Sequence, residues 1–236
     1  MSSFRFKQFT INQQNVPMKV NTDGVLLGAW ADVDNMASIL DVGTGTGVIA
    51  LMLAQRNLTA LVDAVEIDQQ AVAIAEQNIA NSPWSERIAV IGSSFQAYAD
   101  SSALKYSLIV SNPPFFLSAL KSPSQSRNLS RHADILPYEA LLEGVDKLLA
   151  ETGVFAGVFP YAESNVFIAL AVNFGLYCRR KIYVQTVSGG RIKRVLLELS
   201  RERVTPMEGN LAIEEHGGKG YTTDYRNLTK DFYLAF

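Results

Sequence analysis

Three groups of residues in this chain have the type and spacing to do chemistry. Residues 112–116 read Asn-Pro-Pro-Phe-Phe and follow Tyr106–Ser111, an apolar run that suits a buried strand. Two consecutive prolines cannot continue a central strand and lock the chain in an extended turn. The side chain of Asn112 and the carbonyl of Pro113 are therefore aimed rigidly out of the sheet edge, with Pro114 and Phe115 beside them. The second group is Ser38–Gly47, SILDVGTGTG, in which Ile39, Leu40 and Val42 suit a buried parallel strand. Gly43, Gly45 and Gly47 then permit a tight turn and close approach of a ligand, and Val48–Arg56 has helical composition. The glycines follow GxGxG rather than GxGxxG, and no GK[ST] follows, so a nucleotide cradle fits better than a phosphate loop. The third is Glu66, 19 residues past Gly47 at the carboxyl end of a strand over Ala60–Ile67. An acid there can accept hydrogen bonds from both hydroxyls of a ribose.

The remaining elements position these groups. Phe4–Val16 alternates apolar and polar residues, as a short strand or hairpin would, and Pro17–Gly24 is turn-rich. Val25–Ala31 has helical spacing, with Asp23 read as its N-cap or as a ligand contact. Asp68 is expected to cap a helix over Gln69–Ala80. Arg87–Ile91 is a third strand, after which Ser94 and Phe95 stand where an adenine ring would lie, although Phe95 suits the core equally. Residues 117–133 are serine-rich with basic Lys121, Arg127 and Arg131, a long loop that reads as a substrate-binding segment or a solvated connector. A helix over Pro137–Ala150, a strand over Val154–Phe159 and a helix over Ala162–Phe174 follow. Tyr177–Thr186 and Ile192–Ser200 pair around Val187-Ser188-Gly189-Gly190 as an antiparallel hairpin. That hairpin carries Arg179, Arg180, Lys181, Arg191, Lys193 and Arg194, and residues 202–236 are too irregular to assign.

Composition narrows the function classes. A length of 236 residues with 48% hydrophobic content supports a sizeable core, and a net charge of −2 means that any nucleic-acid contact must be a local basic face. One cysteine, Cys178, excludes an internal disulfide, and two histidines without ligand spacing argue against a metal site. No apolar run reaches membrane-spanning length and the amino terminus lacks a signal-peptide core, so a soluble cytoplasmic protein is expected.

Glycine loop, ribose acid and Asn-Pro-Pro-Phe in this order resemble the class I S-adenosylmethionine-dependent methyltransferases over residues 20–200. Asn-Pro-Pro-Phe after the fourth strand of the α/β part is the mark of those that methylate an amino nitrogen. Further likeness in MKVNTDGVLLGAWA, NPPFF, Arg131-His132 and DFYL (231–234) points to the bacterial tRNA(Val) adenine-N6 methyltransferases acting at position 37. The resemblance implies an α/β, Rossmann-like fold with a seven-stranded mixed sheet and a C-terminal antiparallel hairpin. It implies one domain over 1–236, with a cover over about 1–35 and an extension over about 202–236. It also implies an S-adenosyl-L-methionine site from Thr22, Asp23, Asp41, Gly43, Gly45, Gly47, Glu66, Asp68, Ser94, Phe95 and Asn112. Catalysis would fall to Asn112, Pro113, Pro114 and Phe115. The Asn112 amide oxygen and the Pro113 carbonyl would accept hydrogen bonds from the amine and aim its lone pair at the methyl group, while Phe115 stacks on the base. A tRNA partner, contacted through Lys121, Arg127, Arg131, Lys193 and Arg194, a monomer and no metal complete the expectation. A ribosomal RNA guanine-N2 methyltransferase and a protein glutamine methyltransferase are the alternatives.

Overall fold

A computed structural model describes residues 3–14, 16, 18–114 and 136–236. Strands β1 (Ser3–Arg5) and β2 (Thr10–Asn12) form the small antiparallel hairpin expected at the amino end. Helix α1 (Thr22–Trp30) buries every residue from Gly24 to Trp30. Then β3 (Ser38–Val42), α2 (Val48–Arg56), β4 (Leu61–Glu66), α3 (Gln69–Ala80), β5 (Ile88–Gly92), α4 (Phe95–Ser101) and β6 (Tyr106–Ser111) alternate in the β/α manner. After the undescribed residues come α5 (Tyr138–Leu148), β7 (Leu149–Pro160), α6 (Tyr161–Ala171), β8 (Tyr177–Val187), β9 (Ile192–Ser200), β10 (Met207–Glu214) and α7 (Thr223–Thr229).

The main sheet has the order β10-β8-β9-β7-β6-β3-β4-β5. Only β9 runs antiparallel to its neighbours β7 and β8; the other pairings are parallel. Alternate residues of the strands feed two apolar layers, as the two-residue period requires. Ile39, Leu108 and Val110 pack with α1 and α2 on one face, and Leu40, Ile109 and Phe155 with α4, α5 and α6 on the other.

Two expectations are corrected here. The sheet has eight strands, not seven, because β10 adds to the edge of β8 with Leu211 opposite Val184. Its sequence, MEGNLAIE, has a weak strand pattern, and the order comes from the exposed edge it covers. A Cβ on Gly209 would lie 2.8 Å from Ile182 Cδ1, so a side chain there would displace the end of that isoleucine. The second correction concerns α1, which is capped by Asn21, whose Oδ1 accepts from Gly24 N at 2.9 Å, and not by Asp23. Capping joins the residue before the helix to the third residue within it, and Asp23 already lies inside the first turn. Among the described residues no helix is long and apolar enough to cross a membrane.

Candidate active site

The carboxyl ends of the parallel strands open on a cleft of about 1150 Å³. Its floor is the loop after β3, where Gly43, Gly45 and Gly47 all have positive φ (71°, 57° and 82°), a conformation that side chains rarely adopt. A Cβ on Gly43 or Gly45 would meet nothing within 4 Å, so both backbones present an open face. The amides of Gly43 and Thr44 donate to Val65 O at 2.9 and 3.1 Å, tying the turn to β4. Asn78, a buried polar residue of alanine-rich α3, donates to Thr46 O at 2.9 Å and fixes the loop from behind.

Glu66 is buried at the end of β4 and lines the cleft. Its Oε2 accepts from Gly45 N at 2.9 Å, and its Oε1 from Ile67 N and Asp68 N, each at 2.9 Å. A carboxylate has about four lone-pair positions, so three amides orient it and leave capacity for a ligand hydroxyl. Asp68 caps α3 through Gln70 N at 2.9 Å and also lines the cleft. Ser94 caps α4, accepting from Ala97 N at 3.2 Å. Phe95 is packed in the core and also contributes to the cleft wall.

Asp41 lies beneath the floor, fully buried, and does not line the cleft. Its Oδ2 accepts from Thr44 Oγ1 at 2.6 Å and from Ala50 N at 3.1 Å, while Oδ1 has no partner among the described residues. Burial pushes its carboxyl up to about 7, opposed by these two hydrogen bonds. Asp41 therefore shapes the glycine loop from below. Gly47 is also outside the lining, and a Cβ there would rest on Ala75 and Ile79 of α3.

At the acceptor end, Ser111 Oγ donates to Val42 O at 3.0 Å and joins the ends of β6 and β3. Asn112, Pro113 and Pro114 follow and line the cleft that Glu66 and the glycine loop line. Phe115, Lys121, Arg127 and Arg131 lie outside the described residues.

Of the segment that forms another wall, sequence reasoning named Thr22 and Asp23 and missed the residues that line the cleft. Val16, Met18, Lys19, Asn21 and Gly24 line the cleft, whereas Thr22 and Asp23 do not. The available signal was Met18, an apolar residue in a polar turn segment and still 52% exposed at the cleft mouth. Asp23 instead accepts from Arg194 Nε of β9 at 2.6 Å. Arg194 was expected to face RNA, yet it turns to this internal partner. Two other hairpin cations are engaged similarly: Arg180 with Glu198 at 2.5 Å and over the Trp30 ring at 4.0 Å, and Lys181 with Glu208 at 2.9 Å. Arg179, Arg191 and Lys193 are exposed. Among the described residues no group of three or more His, Cys, Asp or Glu could hold a metal ion.

The methyltransferase small domain family matches residues 23–135. A tRNA1(Val) (adenine(37)-N6)-methyltransferase of Trichodesmium erythraeum is 45% identical, covering 100% of this chain and 99% of that one. The Bacteroides fragilis protein of the same name is 46% identical, covering 98% and 97%. Among solved structures, a predicted O-methyltransferase from Agrobacterium tumefaciens superposes with a TM-score of 0.69 over 89% of this chain and 96% of that one. At 19% identity it shows the shared fold alone.

Proposed function

Because the chain belongs to the family of tRNA1(Val) (adenine(37)-N6)-methyltransferases, we propose that it methylates N6 of an adenine in tRNA, adenosine 37 of tRNA(Val), with S-adenosyl-L-methionine as donor. The observation that carries the reading is that Asn112, Pro113 and Pro114 line the same cleft as Glu66 and the glycine loop, so an amine-recognition motif adjoins a nucleoside-recognition site.

The residues present fit the donor. Glu66 would take the ribose hydroxyls, its orientation already fixed by three amides. Gly43 and Gly45 leave the open backbone that close approach needs, and Ser94 and Phe95 would border the adenine. When bound, S-adenosyl-L-methionine supplies an electrophilic methyl group on a sulfonium. The chain's own task is to prepare the acceptor. An exocyclic amine on a purine is a poor nucleophile because its lone pair is delocalised into the ring. The Asn112 side-chain oxygen and the Pro113 carbonyl would accept hydrogen bonds from its two N–H groups, bias the nitrogen toward tetrahedral geometry and hold the lone pair toward the methyl group. Phe115 would stack on the base, an interaction worth about 1 to 3 kcal/mol.

The RNA backbone would lie on the ligand edge of the hairpin, where exposed Arg191 and Lys193 stand, with Lys121, Arg127 and Arg131 adding charge. We read the chain as one catalytic domain acting as a cytoplasmic monomer. The test is to methylate total tRNA with labelled donor and identify the modified nucleoside. N6-methyladenosine is expected; label in N2-methylguanosine, or no label in RNA, would overturn the assignment.

A further inference from the structure

The segment leading into α1 forms a wall of the cleft through Val16, Met18, Lys19, Asn21 and Gly24. Within it Val20 N donates to Gln13 Oε1 at 3.0 Å. Its far end is the first turn of α1, which Asn21 caps. On one side that turn rests on α2, since a Cβ on Gly24 would lie 3.8 Å from both Val48 and Ile49. On the other side it is held by Asp23 Oδ2 and Arg194 Nε at 2.6 Å. Arg194 stands on β9 opposite Pro160, at the carboxyl edge of the sheet where the cleft opens. The two side chains are 17% and 31% exposed, so the pair is less screened than a surface ion pair. The guanidinium adds a second anchor within its own strand, donating from Nη1 to Lys193 O at 3.1 Å.

We propose that Arg194 is a positioning residue for donor binding, acting through Asp23 to hold the α1 wall against the cleft. Neither side chain lines the cleft, whereas Asn21 and Gly24, on either side of Thr22-Asp23, do. Fixing Asp23 therefore fixes residues that line the site, and the sheet edge that would carry RNA is coupled mechanically to the donor wall. This inference rests on the reading of the cleft as a donor site and adds to it a determinant on β9, outside the cleft lining, on a residue that sequence reasoning assigned to RNA.

The experiment is calorimetric titration of S-adenosyl-L-methionine into the native protein and into Arg194→Ala, Arg194→Lys and Asp23→Asn, without RNA and well below each unfolding midpoint. Steady-state methylation of tRNA accompanies it. Arg194→Ala and Asp23→Asn are expected to weaken donor binding by about five- to tenfold, the effect of removing one partly buried ion pair that orders a wall. Arg194→Lys, which keeps the charge but loses the fork that also reaches Lys193 O, is expected to recover part of that affinity. The KM for the donor should rise with kcat at saturating donor preserved, a split that a general loss of folded protein would not produce. Donor affinity equal to native in Arg194→Ala would overturn the inference, as would a change confined to the KM for tRNA, which would make Arg194 an RNA-binding residue. Failure of the native protein to bind the donor would instead fail the reading of the cleft, so the two outcomes are distinct.

Discussion

Asp41 and Asn112 show how differently two polar side chains serve one cleft. Asn112 follows the carboxyl end of β6, half-buried on a backbone stiffened by Pro113 and Pro114, and its proposed work in catalysis is on the acceptor amine. Asn112→Ala is therefore expected to reduce methyl transfer by about two to three orders of magnitude, the drop typical of removing a preorganised transition-state interaction, while calorimetry shows donor affinity within about twofold of native. Native turnover in that variant would remove the amide from the mechanism. Asp41 is buried instead, and its carboxyl titrates at about 7 rather than at the ordinary value of 3.8. Between about pH 4 and 7 the folded protein retains a proton that the unfolded chain has released, so this group's contribution to stability falls as pH rises through that window. In Asp41→Asn the amide oxygen can still accept from Thr44 and Ala50, but nothing ionises. Denaturant unfolding at pH 5 and pH 8 should show the variant gaining stability relative to native at the higher pH. A difference that does not move with pH would mean that Asp41 stays ionised throughout.

At the scale of elements, the packing of α5 on α4 decides where Phe95 stands. Gly144 of α5 lies directly against this ring: a Cβ there would come within 2.7 Å of Phe95 Cζ and closer still to Cε1. Gly144 is buried mid-helix, where glycine is otherwise unfavourable, so close helix approach is the reason for its presence. Gly144→Ala should relieve the backbone-entropy cost yet force the ring outward, with overpacking of about 1 to 3 kcal/mol outweighing the helix gain of about 1 kcal/mol or less. Because Phe95 lines the cleft, the same variant should weaken donor binding. A more stable protein with unchanged donor affinity would show that the ring yields freely.

Across the whole molecule, a net charge of −2 leaves no general field for RNA, and several hairpin cations are paired with carboxylates of the chain itself. Steering and docking would then fall to local groups such as the exposed Arg191 and Lys193 at the ligand edge. Binding of tRNA should weaken with salt, and the double variant Arg191→Ala with Lys193→Ala should lower the slope of log affinity against log salt by roughly 0.7 to 0.9 for each phosphate no longer neutralised. Affinities measured across a salt series check this, and an unchanged slope would place the RNA on another surface.

The sequence by itself determined the β/α alternation, the strand-turn-helix around Gly43, Gly45 and Gly47, the place of Glu66 at a strand end and the interruption at Asn112-Pro113-Pro114. Each of these is local: apolar periodicity, the steric freedom of glycine and the missing amide of proline act within a few residues of chain. Tertiary structure alone decided the rest. β10 is a strand because the edge of β8 was there to pair with, not because MEGNLAIE asks to be one. Asn78 has its reason for standing in α3 in Thr46, 32 residues away, and in the backbone of Asn12, 66 residues away. Asp23 and Arg194 lie 171 residues apart and read separately as a helix cap and an RNA contact. Only the folding of β9 back along β7, which sets Arg194 opposite Pro160 at the mouth of the cleft, makes them one ion pair.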